Sequence, residues 1–335
     1  MSYDGHAHPF LNYQTCPNAF AFGSRFSLSR AEWQVFNAAF HVAKDVPLPE
    51  PVEAVTEAVD KLLGLIPATS RRWKALKKLI RLYWTPVNAL VVQFDQMLDR
   101  EGVKGANCLI PWAGPEITRR AVDLAIQACD GRPHLRIFAP YTFADNPDVF
   151  GIKFYPSLEP MEFGRCVQAA ERTGKPIISH CSPGGIRLDN MSTLGAKAMN
   201  HPGQWWEYVR DTAIRLCLAH GGGADRWMRW MNEERTKPGA NWAIDNYLRE
   251  TADGDWSELQ SRVYIDTAFH DHQGTEDYMR AVSRCILWWV RRVLWGSDYP
   301  LHLLDHSYEQ SVNWGRMYWP DQDVAAAAFL GVERV

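Results

Sequence analysis

The sequence has no CxxC pair, no run of 18 apolar residues and no surplus of basic charge. Each absence removes a class of function. The seven cysteines, Cys16, Cys108, Cys129, Cys166, Cys181, Cys217 and Cys285, are scattered and odd in number. In a long chain that reads as reduced thiols rather than a disulfide framework. Without a long apolar run no membrane span is expected, and no membrane partner with it. Lys and Arg number 36 against 39 Asp and Glu, a formal net charge of -3. A phosphate-binding face normally needs a basic excess, so nucleic acid is not expected as a partner. The opening MSYDGHAHPF lacks a basic stretch followed by an apolar one, so no secretory signal is expected and the default compartment is cytoplasmic. No internal repeat, low-complexity tract or glycine-rich phosphate loop is present. What remains is ordinary for a soluble globular enzyme: 46% hydrophobic and 22% charged residues, with 15 tryptophans suited to packing and pocket lining.

From residue 102 onward short apolar runs alternate with amphipathic stretches. Strands are predicted over Ala106–Pro111, Leu135–Tyr141, Gly151–Tyr155, Pro176–Ser182, Leu216–Gly221, Val263–Thr267 and Val293–Asp298, with helices such as Glu116–Cys129 and Met161–Thr173 between them. That alternation implies parallel pairing. Ser2–His8 adds one more strand, making the eight that close a (β/α)8 TIM barrel as a single domain. Residues 28–100 break the rhythm and read as helices, Ser29–Lys44, Pro51–Ile66, Ser70–Trp84 and Pro86–Arg100. They are expected to form an insertion after the first strand, over or beside the barrel mouth. The segment RRWKALKKLIRLYW sets Trp73, Leu76, Leu79, Ile80 and Tyr83 at helical spacing beside six basic residues. It reads as an ordinary helix with a solvated basic face rather than a membrane-surface helix.

In a parallel barrel the active site lies at the carboxyl ends of the strands. Here those ends are polar in a consistent way. The first strand ends in His6-Ala7-His8, where the period of two puts both imidazoles on one face. The fourth carries Lys153, the fifth ends in Ser179-His180, the sixth in Ala219-His220 and the eighth in Asp298. Each residue alone is unremarkable, a strand-end histidine being most often structural. Together they supply imidazoles and a carboxylate, the donor set that suits zinc or manganese.

Asp4-Gly5-His6-Ala7-His8, GIKFYPSLEP, IISHCSPGG, LCLAHGGG and LWGSDYPL, taken in order, resemble the strand motifs of the amidohydrolase superfamily. They are most similar to its amidohydrolase 2 branch, which holds hydrolases, lactonases and non-oxidative decarboxylases. The resemblance covers residues 1–10 and about 105–310, and leaves 28–100 unmatched. It implies that His6 and His8 bind a metal with Asp298, that His180 is a ligand, and that His220 is a second-site ligand or a proton-handling residue. A metal held this way lowers the pKa of its water towards ~7. Asp298 then takes the proton and returns it to a leaving group.

Two readings of Lys153 stay open. In binuclear members of the family a lysine ending strand four is carboxylated and bridges two metals. Alternatively it stays an ammonium, pairing with Asp298 or Asp266 or holding a substrate carboxylate. Arg187 and His270 are candidate substrate-binding residues. Asp266 is placed to orient a ligand histidine, Asp225 to cap a helix, and His272, His302 and His306 to line the rim. Cys181 adjoins His180, but strand alternation points it the other way. The expected activity is metal-dependent hydrolysis of an amide, lactone or ester in a small polar substrate, with one or two divalent ions, zinc first and manganese second. The alternative is a single-metal decarboxylase of an aromatic or unsaturated acid. A non-catalytic barrel is remote, since no position of the set has been lost. A homo-oligomer is plausible, though no sequence feature marks an interface. The ending AAAAFLGVERV looks short where the family continues into a terminal helix.

Overall fold

Strands covered on both faces must be largely apolar on both, so they read as short, mostly hydrophobic runs, LRIFA, IIS, LCL and VYID among them. The computed structural model describes residues 2–16, 70–181, 190–222, 262–268, 292–304 and 306–333, together with 188, 335 and scattered positions of 30–38 and 57–64. Eight parallel strands follow one another around the sheet in chain order: β1 (Ser2–Ala7), β2 (Val103–Leu109), β3 (Leu135–Ala139), β4 (Gly151–Phe154), β5 (Ile177–Ser179), β6 (Leu216–Leu218), β7 (Val263–Asp266) and β8 (Val293–Leu294). The segment after β8 closes the sheet against β1. Gly5 N–H donates to Trp295 O (2.6 Å), Asp298 N–H to His6 O (2.9 Å) and His8 N–H to Tyr299 O (2.7 Å). The expected barrel is therefore present. β2 starts earlier than its apolar run, because Val103 already pairs with Ser2 at the barrel's lower edge, ahead of exposed Lys104.

The helices obey local rules. Helix α1 (Arg71–Trp84) starts at Ser70, whose side chain accepts from Trp73 N–H. It buries Leu76, Leu79, Ile80 and Tyr83 and exposes Arg71, Lys74, Lys78 and Arg81, the face expected of an ordinary amphipathic helix. Helix α2 (Val87–Glu101) stops at Gly102, whose left-handed φ of 62° a side chain would resist. Within the expected insertion, α1 packs on the turn Leu301–Leu304 just past β8. α2 lies on β2 and on α3 (Pro115–Cys129), in the place of the first crossover helix. The other two expected helices fall mostly outside the described residues, and the scattered positions described within 30–38 and 57–64 are helical. Helix α4 (Phe163–Thr173) follows β4, and α5 (Thr193–Met199) follows β5. No described helix is long and apolar enough to cross a membrane.

Apolar side chains sort into two bodies. One fills the space between strands and helices. The other lies inside the barrel, where Tyr3, Leu109, Phe138, Ile178, Cys217, Tyr264 and Leu294 meet Ala325, Ala326, Phe329 and Leu330. The last four belong to α7 (Gln322–Leu330), which follows α6 (Tyr308–Tyr318). The AAAAFL ending is thus itself a terminal helix. Arg215, just before β6, donates to Phe329 O (2.9 Å), and Lys104 donates to Val335 O (3.0 Å), which places α7 at the amino ends of the strands. Phe329 stacks on Phe138 and meets Tyr264 edge-on, with centroids 6.3 and 5.3 Å away. With the lower end plugged by apolar packing, the polar inward-facing residues are left to the carboxyl end. Phe329→Ala is expected to cost about 3–5 kcal/mol of stability. Denaturant titration checks this, and the metal content of the folded variant should match the parent.

Candidate metal centre

The imidazoles of His6 and His8 reach the carboxyl end of β1 together, with Nε2 atoms 3.3 Å apart. Asp298, past β8, brings Oδ1 to 3.5 Å from His8 Nε2 and 3.8 Å from His6 Nε2. Among the described residues these three form a group whose ligand atoms all lie within 4.8 Å of one another. All three are buried. Gly296 permits the approach: a Cβ there would lie 2.6 Å from His6 Cβ.

The other strand ends join the same centre. His220 meets His6, with ring centroids 5.1 Å apart, and His180 meets His220 at 5.1 Å. His220 Nε2 lies 3.3 Å from His180 Nδ1. Tyr155 stands 5.7 Å from His180, and Lys153 Nζ lies 5.1 Å from the centroid of the Tyr155 ring. The expected residues of β1, β4, β5, β6 and β8 therefore form one continuous polar cluster. Arg187 and His270, with His272 and Asp225, lie outside the described residues. His302 and His306 are buried as a pair, centroids 4.9 Å apart, among Tyr299, Tyr308 and Trp314. Cys181 belongs to the outer apolar body, its Sγ 3.6 Å from Ser179 O.

Asp266, ending β7, fixes two of the histidines. Its Oδ2 accepts from His6 Nδ1 (2.7 Å), and its Oδ1 accepts from the backbone N–H of His220 (2.8 Å) and of Ala268 (3.1 Å). With the Nδ1 proton committed to a carboxylate, His6 turns an unprotonated Nε2 towards the centre. His220 Nδ1 is likewise committed to Ala268 O (2.9 Å), leaving Nε2 for His180. Burial drives the His6 pKa well below the usual imidazole range, and the nearby Lys153 ammonium pushes the same way. His220 falls to about 3, chiefly through burial and then His6. Lys153 falls to about 8, burial outweighing the opposing pull of Asp266 and Asp298. Both histidines are thus neutral, as metal ligands must be.

Backbone conformation sets the aim of two of these side chains. His220 and Asp298 both adopt left-handed φ, 58° and 54°, where non-glycine residues are uncommon. Each is held there. Asp266 grips the His220 N–H, and the Asp298 N–H donates to His6 O. Asp4 is the member that sequence reasoning passed over. Its carboxylate, wholly buried beneath His6, accepts hydrogen bonds from His6 N–H, Ser297 N–H, Ser297 Oγ and Tyr308 OH.

The donor geometry fits a metal ion. Two imidazole nitrogens on one ion at 2.0–2.1 Å and a tetrahedral angle sit ~3.3 Å apart. Two nitrogen pairs here show that spacing, His6/His8 and His180/His220.

No family model matches this chain, and no curated protein does. Among solved structures it is similar to an amidohydrolase from Burkholderia multivorans with bound zinc, at 13% identity and a TM-score of 0.48, covering 77% of this chain and 92% of that one. It is also similar to a structure described as amidohydrolase II, at 14% identity and 0.47, covering 99% and 100%. A third likeness is to 4-oxalomesaconate hydratase from Rhodopseudomonas palustris, at 13% and 0.45, covering 98% of each chain. At these identities and scores the likenesses carry no argument about activity.

Proposed function

We propose that this chain is a metal-dependent hydrolase of the amidohydrolase type, cleaving an amide, lactone or ester bond in a small polar substrate. The observation that carries this reading is the convergence of His6 Nε2, His8 Nε2 and Asp298 Oδ1 at the carboxyl end of the barrel. His6, His8 and Asp298 are the proposed ligands of one ion, zinc or manganese by donor type. When bound, such an ion polarises a carbonyl and lowers the pKa of water towards ~7. Asp298 accepts the proton of the attacking water and delivers it to the leaving group. Asp266 keeps His6 in the ligating tautomer throughout. The second nitrogen pair, His180/His220, supports a second ion, which a carboxylated Lys153 would bridge.

One observation favours a second reading. Lys153 Nζ lies 5.1 Å from the centroid of the Tyr155 ring; burial lowers its pKa to about 8, while Asp266 and Asp298 pull the other way and favour the charged form. That is a setting for an ammonium that holds a substrate carboxylate. It suits a single-metal decarboxylase in which His220 acts as acid or base.

Turnover assays on zinc-loaded protein, across lactones, amides and esters and across hydroxybenzoate-type acids, separate the two. Carbonyl hydrolysis that chelation abolishes and zinc restores supports the hydrolase. Release of CO₂ from the acids, with no hydrolysis, replaces it by the decarboxylase. Inactivity across both sets contradicts the proposal.

A further inference from the structure

We infer that Asp4 is a positioning residue of the metal centre, pinning the seam between β1 and the end of β8 so that Asp298 faces His6 and His8. The inference rests on the metal-binding reading of that site and concerns a residue that reading leaves idle. Asp4 Oδ1 accepts from two backbone donors, His6 N–H (3.1 Å) and Ser297 N–H (3.0 Å). One belongs to a proposed ligand and the other to the residue before a second. Asp4 Oδ2 accepts from Ser297 Oγ (2.5 Å) and Tyr308 OH (3.0 Å). Ser297 Oγ in turn accepts from Tyr299 N–H (3.0 Å), and Tyr299 O accepts from His8 N–H (2.7 Å). Residues 297, 298 and 299 are therefore each tied to β1, directly or through Ser297. The left-handed Asp298 sits in the middle of this clasp.

The arrangement repeats what Asp266 does on the other side of the centre. There one buried carboxylate holds the N–H of left-handed His220 and a ring nitrogen of His6. A buried carboxylate thus holds the N–H of one left-handed residue, His220, and the N–H of the residue just before the other, Asp298. Asp4 is no ligand itself, since both its oxygens are spent on four donors. A carboxylate is the one side chain of this size that accepts everywhere and donates nowhere. An asparagine turns an N–H₂ towards two hydroxyls that now donate to Oδ2, and both must rotate.

Zinc dissociation constants for the parent, Asp4→Asn and Ser297→Ala, by competition with a chromophoric chelator, test this. Thermal midpoints of the metal-free proteins and the visible spectrum of the cobalt-substituted forms accompany them. Asp4→Asn should weaken zinc ~10-fold or more, the usual effect of losing a partner that orients a ligand. Ser297→Ala changes no charge, so its weakening, expected to be about threefold or more, reports position. The cobalt spectra of both should shift, because Asp298 meets the ion at a changed angle. Should Asp4→Asn fail to fold, Ser297→Ala carries the test alone. Variants that bind zinc within twofold of the parent, with unchanged cobalt spectra and only lower metal-free midpoints, overturn the inference and leave the metal site standing. A parent that binds no zinc overturns the site reading and this inference with it.

Discussion

Asp298→Asn is expected to lower turnover of the metal-saturated enzyme about 10³-fold while leaving the fold intact. Asparagine fills the same volume and is, like aspartate, tolerant of the left-handed φ of 54°. The metal-free thermal midpoint should therefore match the parent. What is lost is chemical. An amide cannot take a proton from water, and general acid–base groups contribute about 10²–10⁴-fold. The negative charge 3.5 Å from His8 Nε2 also disappears, so zinc binds more weakly. Steady-state rates at saturating zinc, beside a chelator competition, separate the two effects. A variant within tenfold of the parent rate would remove Asp298 from the chemistry.

Asp266→Asn should have the next largest effect, and through a proton rather than a contact. The two backbone N–H groups of His220 and Ala268 hold Oδ1, so the new amide must turn its N–H₂ towards His6 Nδ1. His6 Nδ1 then accepts, and its proton moves to Nε2, the atom that faces His8 and Asp298. A protonated Nε2 cannot ligate, so zinc affinity should fall ~10–100-fold. Nitrogen-15 histidine spectra should show the His6 tautomer reversed. Wild-type affinity with an unchanged tautomer would contradict this role. Asp266→Ala differs in kind: it orphans buried donors at about 1–3 kcal/mol each and should lower the thermal midpoint as well.

The barrel was legible because strands covered on both faces leave mostly hydrophobic runs, and because a polar residue at the end of such a run stands out. Lys153 in GIKF and His220 after LCLA are of that kind. The clasp around Asp4 was not legible. Its partners lie 293 and 304 residues away, in Ser297 and Tyr308, and nothing near Asp4 names them. The left-handed backbones of His220 and Asp298 were hidden for another reason. Glycine is the usual marker of that conformation, and neither residue is one. The terminal helix was masked by its composition. AAAAFL carries no amphipathic signal, because an end plug buries alanines and Phe329 while its rim stays small. The partner of α1 was equally invisible, since its apolar face meets Leu301–Leu304, more than 200 residues downstream.

Metal content by elemental mass spectrometry, on protein purified without chelators, tests the central claim most directly. The proposed centre requires at least one equivalent of zinc or manganese per chain, lost in His6→Ala. Two equivalents would support a bridging, carboxylated Lys153 with His180 and His220 on the second ion, and one would leave Lys153 an ammonium. No metal in the purified protein, and no uptake when zinc or manganese is added, would contradict the account.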